Sequence, residues 1–522
     1  MNSKLHKAWR QYEAGKAYKR RIGLYETTRK NESFYRGEQW QSGEANGLPK
    51  PIFNIIRRVI DYLVCSVASA DLSVRFSDDN LPFASPEDAK TTRILLDTLT
   101  KNAAYRWGKC DMDAKLIDLL TDAAISGDGA LYCYWDENAA GAGDYTGDIV
   151  TLVADGSCIY PADVNLRDIQ TQDYIILSGR STVSSLRREA ECFGVAPEDI
   201  AKIIADNDTA FTAGNRGSYE LEGDDEAKAT FIVKFWKEDG KVCFEKSTQD
   251  CIIKRAKTDC SLYPIAFFNW ISTKNSFHGT SPVTGMIPNQ KFINRAYSMA
   301  MKHMTDTAFS KVIYDKTKIP EWSNEVGEAI AAVGGGNISD AVSVIGTGKM
   351  QDGFMDVLES AVKLTKELMG ATESALGNME ANNTSAILAL QESSRITLDN
   401  VRVAFYKCVE DMASIWADMM CAYYPSDRLV PCCEGSEVIA KQLDTSALRR
   451  SMLSAHIDVA EITRYSAVNA QNMLDKLLDG GHITPAEYIK RLPAGLLMDR
   501  QALIDEIETR LSRENTEEEQ YE

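Results

Sequence analysis

Few residue groups in this chain of 522 residues have types and spacings that could do chemistry. IGTGKM, at 345–350, carries the Gly-Lys pair of a phosphate-binding loop. Such a loop also needs a Gly five residues before that pair and a Ser or Thr after the lysine, because backbone N–H groups cradle the phosphates and the hydroxyl holds Mg²⁺. Ser343 and Met350 occupy those places, so the segment reads as a turn after a strand. Asp111-x-Asp113 is a pair of carboxylates, but i and i+2 on a helix point apart and cannot share a metal ion. The five histidines (His6, His278, His303, His456, His482) include no H-x-x-x-H pair that would put two ligands on one helix face. Asn382-Asn383-Thr384 matches a glycosylation sequon, yet the N-terminus lacks the apolar h-region of a secretory signal, so the match is read as chance. Twelve cysteines are scattered without a C-x-x-C, and only Cys432 and Cys433 are adjacent. They suit small apolar roles in a reducing compartment. The expectation is no catalytic residue, no metal, no cofactor, and a protein that is not an enzyme.

Charge narrows the partners. The net charge of −18 argues against tight binding of nucleic acid by phosphate neutralisation, though not against letting nucleic acid slide past. Residues 1–40 carry ten Lys/Arg against four Asp/Glu, and residues 501–522 carry two against eight. Both ends read as solvated surfaces. The longest apolar run, VIDYLVCSVASA at 59–70, contains Asp61 and is too short to span a bilayer. At this length two to four subdomains are expected.

The elements follow from periodicity. Residues 1–40 read as helical, as do 52–70 after Pro49 and Pro51, and two stretches within 86–126, which SGDG at 126–129 ends. ALYCYWDE, GDIVTLVA, CIYPADV, DYIILSGR, ATFIVKFWKED, KVCFEKS, CIIKRAK and YPIAFFNW are β-branched and aromatic runs bounded by turn residues, and predict strands. Asp239-Gly240 predicts a hairpin. Ser281 before Pro282 suits a helix start, with a reset expected at Pro288 and an apolar stripe of Ile293, Tyr297, Ala300 or Met301, Met304 and Ala308. Residues 312–350 read as an insert, with strands at VIYDKTKI and AVSVIG around a short helix at 321–333. Helix returns at 352–370. A polar segment, ESALGNMEANNTSA (373–386), precedes a long helical run to Pro425. That run has a seam of Leu398, Val401, Phe405, Cys408, Met412, Ile415 and Met419, read as a core stripe rather than a free coiled coil. A strand is expected near MLSAHIDVA, then short helices over 463–513 and an acidic, disordered end.

Four phrases carry a family resemblance. ESFYRGEQW (32–40), LPKPIFNIIRRVIDYLV (48–64), SFHGTSPVTGMIPNQKFINRAYSMAMKHMTDTAFSKVIYDK (276–316) and NNTSAILALQESS (382–394) resemble tailed-bacteriophage portal proteins, most closely the branch in phages and prophages of Gram-positive bacteria. The resemblance implies an α+β, mainly helical portal fold with wing, stem, clip and crown regions, a long spine helix and a tunnel loop. By element order it places the wing at 1–274, stem helix 1 at 275–311, the clip at 312–350 and stem helix 2 at 351–370. The tunnel loop falls at 371–386, the spine helix and wing return at 387–461, the crown at 462–513 and an acidic tail at 514–522.

The resemblance also implies a ring, usually of twelve subunits, at one capsid vertex in the virion, assembled in the host cytoplasm. Its partners would be other copies of itself, terminase, the major capsid and scaffold proteins, a head–tail adaptor, and double-stranded DNA passing through non-specifically, with no membrane. Tunnel-loop residues Gly377, Asn378, Glu380, Asn382, Asn383, Thr384 and Ser385 would meet that DNA. Lys291, Arg295, Lys302, Lys363 and Lys366 would face the channel or a neighbouring subunit's acids. The alternatives are another ring-forming virion adaptor, which is usually a much shorter chain, or a phage DNA-processing nuclease. The nuclease would need clustered carboxylates and a basic cleft, and the sequence shows neither.

Overall fold

The computed structural model describes residues 3–40, 47–69, 71–141, 145–206, 227–307, 311–323, 330–334, 337, 341–345, 353–371, 398–426, 428–434, 437–449, 451–460, 464–492, 503–504 and 507. The chain divides into two compact units: Met1–Arg29, Leu63–Ser281 and Leu398–Glu522 form unit 1, and Lys30–Tyr62 with Pro282–Thr397 form unit 2.

In chain order the elements begin with α1 (Ser3–Arg21), α2 (Leu24–Arg36), α3 (Ile55–Ala68), β1 (Asp71–Asp78), α4 (Pro86–Lys109) and α5 (Met112–Ser126). The β-rich part runs through β2 (Asp128–Ala140), β3 (Thr146–Asp155), β4 (Ile159–Pro161), β5 (Tyr174–Thr182), α6 (Val183–Cys192), α7 (Pro197–Ile200), β6 (Lys228–Glu238), β7 (Lys241–Ser247), β8 (Ile252–Lys257) and β9 (Ile265–Asn269). Then follow α8 (Pro282–Thr307), β10 (Lys311–Tyr314), β11 (Val342–Ile345) and α9 (Phe354–Leu368). The chain returns through α10 (Asp399–Tyr423), β12 (Leu429–Glu434), β13 (Glu437–Gln442), α11 (Thr445–Leu448), β14 (Leu453–Ala460), α12 (Arg464–Asp479) and α13 (Pro485–Arg491).

Local chemistry sets several boundaries. Ser85 accepts from the Asp88 N–H at 3.2 Å and Pro86 follows it, so α4 starts there. Thr484 and Glu487 form a reciprocal capping box ahead of α13. Asp239 at φ 53° and Gly240 at φ 75° make the two-residue turn between β6 and β7, the left-handed pair that a tight hairpin requires.

In unit 1, β4-β5-β6-β7-β8 form one antiparallel sheet and β3-β2-β9 another. Side chains alternate between faces along a strand. Ile175, Leu177, Val233, Phe235 and Val242 therefore share one core with Tyr263, Ile265 and Phe277. On the opposite face Ile176 and Ile232 meet Ala8 and Tyr12 of α1, together with Tyr160. Helix α10 packs on β2, β9 and β14. The whole expected seam from Leu398 to Met419 is buried, but so are Val409, Ala413, Trp416 and Met420. A helix covered on more than one face is a core helix, not one strand of a coiled coil. Trp416 is fully buried, and its Nε1 donates to Thr151 Oγ1 at 2.9 Å.

Several expectations change. β1 pairs antiparallel with β14 across the full chain, and β12 pairs with β13; neither β1 nor that hairpin is evident in the sequence reading. The short runs DLSVRFSD and LVPCCE owe their conformation to partners and to α4 packed beside them. Helix α8 passes through Pro288 without a break. Proline forfeits the bond to the Thr284 carbonyl, but the buried Val283, Met286 and Ile287 keep that turn packed. The α8 stripe is buried at Ile293 and Ala300, yet Met301 and Met304 are exposed, since among the described residues nothing in unit 2 covers the helix's last turns. Residues 330–333 are not helical, so a helix over all of 321–333 does not form; 324–329, like Ala308 and the 386–397 start of the long helical run, lie outside the described residues.

Candidate functional site

Unit 2 is built on α8 and α9, and each face of α8 has a separate task. At 3.6 residues per turn, Gln290, Asn294 and Ser298 fall on one side of the helix. These three polar residues are buried. Gln290 Nε2 donates to Phe53 O at 2.6 Å and to Asn294 Oδ1 at 2.9 Å, while Gln290 Oε1 accepts from the Ile55 N–H at 3.1 Å. Asn294 Nδ2 donates to Gln39 Oε1 at 2.6 Å, and Gln39 Nε2 donates to Asn54 Oδ1 at 3.0 Å and to Phe34 O at 3.0 Å. Asn54 Nδ2 then donates to Tyr35 O at 2.8 Å. Ser298 Oγ donates to Pro49 O at 2.5 Å, and Trp40 Nε1 to Pro51 O at 2.9 Å. Asn31 and Thr284 close the ladder at 2.9 Å.

This amide ladder straps residues 31–40 and 47–55 along α8. All its members but Asn31 come from three of the four phrases that carry the family resemblance. The strap residues Gln39, Asn54, Gln290 and Asn294 were not singled out in the sequence. The one available signal was uncharged amides spaced four apart on an otherwise apolar helix face. The face next to the ladder packs on α9: Ile293 and Ala296 meet Leu358, with Ile55, Tyr297, Phe354, Ala361 and Val362 around them. Phe53 stacks on Tyr297 with ring centroids 4.1 Å apart.

With those faces fixed, Lys291, Arg295 and Lys302 are left within about 40° of one another on the other side of the ladder. Arg295 and Lys302 are exposed; Lys291 is half-buried, its ammonium 5.8 Å from the Phe34 ring centroid. Lys302 pairs with Asp306 at 2.9 Å. On α9, Lys363 and Lys366 share their face with Asp356, Glu359 and Glu367, and Lys363 lies 3.9 Å from Glu367. The five candidate cations thus separate into a basic row on α8 and a mixed, nearly neutral face on α9.

The insert between the two helices holds an antiparallel pair, β10 with β11, in the register Lys311↔Ile345 to Tyr314↔Val342. Tyr314 stacks on Trp322 with centroids 5.3 Å apart. Gly377, Asn378, Glu380, Asn382, Asn383, Thr384 and Ser385 lie outside the described residues, as does most of IGTGKM. Asp113 accepts from Trp107 Nε1 at 2.8 Å, and Asp111 sits at φ 48° ahead of α5. All twelve cysteines are free thiols. Among the described residues no group of three or more His, Cys, Asp or Glu could hold a metal ion, and no helix is long and apolar enough to cross a membrane.

The family model for phage P22-like portal proteins matches residues 170–432, from just before β5 through α8, the β10–β11 insert, α9 and α10 into β12. The chain belongs to the phage P22-like portal protein family. No curated protein matches it closely enough to serve as a relative. The portal match takes in all of α8, α9 and the segment joining them, so the basic row and the α8 half of the amide ladder are features of its portal-family region. The strap that completes the ladder lies N-terminal to the match.

Proposed function

We propose that this chain is one subunit of a phage portal: a ring at one capsid vertex through which DNA is packaged and later ejected, and on which terminase and a head–tail adaptor dock. The observation that carries the proposal is the portal-family match across a helix–insert–helix excursion that forms its own compact unit with a strap from the N-terminal part. In this reading α8 and α9 are stem helices, the β10–β11 segment is the clip, 371–386 is the tunnel loop, and α10 is the spine. The region before residue 275 is the wing, and α12 and α13 belong to the crown. Twelve copies, a scaffold and major capsid partner, and the branch from phages of Gram-positive hosts are parts of the same proposal.

The charges support a conduit that confines DNA without gripping it. Every phosphate neutralised adds affinity and salt dependence, which would brake movement. A net charge of −18, set against the short basic row on α8, keeps that brake weak. Among the described residues both edges of the β10–β11 pair are open and can be covered by a neighbour's strands, which removes an aggregation hazard as the ring closes.

Electron micrographs of the purified full-length chain test the ring: cone-shaped particles with a central hole are expected, and a monomer under all conditions refutes it. Deletion of 377–383 tests the tunnel loop. Rings should still form while packaged or retained DNA falls severalfold; unchanged packaging makes that segment a plain connector. Metal-dependent cleavage of DNA by the purified protein would instead favour the nuclease reading.

A further inference from the structure

A buried carboxylate holds the segment through which the chain leaves unit 1. Asp128, the first residue of β2, is 2% exposed and His278 is 4% exposed. Asp128 Oδ1 accepts from Asn269 Nδ2 and from the Gly279 N–H, both at 2.7 Å, and Oδ2 meets His278 Nδ1 at 2.6 Å. An ionised carboxylate only accepts, so Nδ1 carries the imidazole proton and Nε2 is the bare nitrogen. That Nε2 is buried and has no hydrogen-bond partner among the described residues.

Further bonds tie the same segment down. Asn269 Nδ2 also reaches Phe277 O at 3.1 Å, Ser276 Oγ donates to His278 O at 2.8 Å, and Ser281 Oγ donates to Ala124 O at 2.6 Å. Gly127, at φ 101°, backs onto Gly279 so closely that a Cβ there would lie 2.9 Å from the Gly279 carbonyl oxygen. Pro282, the first residue of α8, follows directly.

The charged groups facing His278 are Asp128 from β2, Lys19 from α1 and Asp155 from the end of β3. Lys19 is itself buried, with Nζ donating to Ser157 O at 2.7 Å and Ile159 O at 2.5 Å. Burial pushes the His278 imidazole below its ordinary value, Lys19 adds to that, and Asp128 and Asp155 oppose it.

We propose that Asp128 and His278 form a proton-operated latch on residues 276–281, closed while His278 carries one proton on Nδ1 and opened when Nε2 takes up a second. The step adds one solvent proton to the Nε2 lone pair and breaks no covalent bond. Among the described residues the closed site offers that new N–H no acceptor, and it leaves an imidazolium facing the Lys19 ammonium. An opened segment takes the proton at the ordinary imidazole value near 6.5. Below that pH the opening equilibrium therefore gains up to about tenfold per pH unit, one proton being bound on opening. The latch lies wholly in unit 1 and stands whether or not the chain assembles into rings.

Amide hydrogen exchange on the full-length chain, corrected for intrinsic rates, tests it. Gly279 and Thr280 should lose protection steeply from pH 6.5 to 5 in the wild type. In His278→Asn, which keeps a donor toward Asp128 but cannot titrate, the profile should be flat. Equal pH slopes in the two proteins, or a flat wild-type profile, overturn the latch. A second measurement needs no variant: exchange at the imidazole C2 position, read by mass spectrometry, reports each histidine's titration. His278 should titrate below 6.5 and exchange slowly, and titration at or above 6.5 overturns the proposal.

Discussion

Lys19 shows at the residue scale how far burial can move a side chain from its sequence expectation. It stands in a basic N-terminal helix, and its neighbours Arg20 and Arg21 are exposed as expected. Lys19 itself is 1% exposed, its ammonium 3.8 Å from the centre of the Tyr160 ring. Loss of hydration lowers it to about 7, against which nearby Cys158, Asp128 and Asp155 pull upward. The unfolded chain therefore binds more protons than the folded one between pH 7 and 10.5, so this group makes stability rise with pH across that window. Urea unfolding at a series of pH values should show that rise in the wild type and a flatter profile in Lys19→Met; equal slopes would dismiss the effect. Trp416 makes the complementary point, since deleting its buried ring should cost about 3–5 kcal/mol in Trp416→Ala. Trp416→Phe keeps most of the volume but removes the donor to Thr151 Oγ1, which is left with the Cys133 Sγ contact at 3.5 Å, so about 1–3 kcal/mol is expected. Thermal or denaturant unfolding ranks the two, and a smaller loss for Ala than for Phe would contradict the packing described.

At the scale of elements, the amide ladder decides which way α8 faces. Its hydrogen bonds are made with backbone and side-chain partners along 31–40 and 49–55, so rotation of the helix would break several at once. Asn294→Leu leaves Gln290 Nε2 and Gln39 Oε1 each short of a partner, at about 1–3 kcal/mol per stranded group. Protease susceptibility at 47–55 should rise in that variant, and unchanged cleavage there would mean the strap is held by its apolar contacts alone. The separation of cations gives a second prediction. Lys291→Glu with Arg295→Glu reverses the α8 row, whereas Lys363→Glu with Lys366→Glu alters a face already balanced by Asp356, Glu359 and Glu367. Packaging assays on rings of normal appearance should show the larger loss for the α8 pair; the opposite ranking would place the α9 face toward the DNA.

At the scale of the molecule, the portal reading turns on a chain that leaves unit 1 after Ser281, builds unit 2 from α8, the β10–β11 insert and α9, and rejoins unit 1 at Leu398. That route was legible in order from periodicity: the helix after Ser281-Pro282, the insert, the second helix, and the seam from Leu398 to Met419 lie where 3.6-residue spacing puts them. So were the strands of the five-stranded sheet, because alternation and the Asp239-Gly240 turn are local signals. β1 was not legible, since its partner β14 lies at the far end of the sequence and the run DLSVRFSD has no strong pattern of its own. The exposed Met301 and Met304 misled in the opposite sense: they fit the helical stripe, but period says which residues share a face and not whether anything covers it. The sequence by itself determined the types of most long helices and of the strands in the five-stranded sheet, and the family, because these rest on short-range spacing and residue chemistry. Only the tertiary structure decided that 30–62 joins 282–397 in one unit, that Gln39 and Asn294 meet, and that Asp128, His278 and Lys19 are buried together. Those pairings join residues up to about 250 positions apart in the chain, and desolvation, which sets their chemistry, exists only after the chain has closed around them.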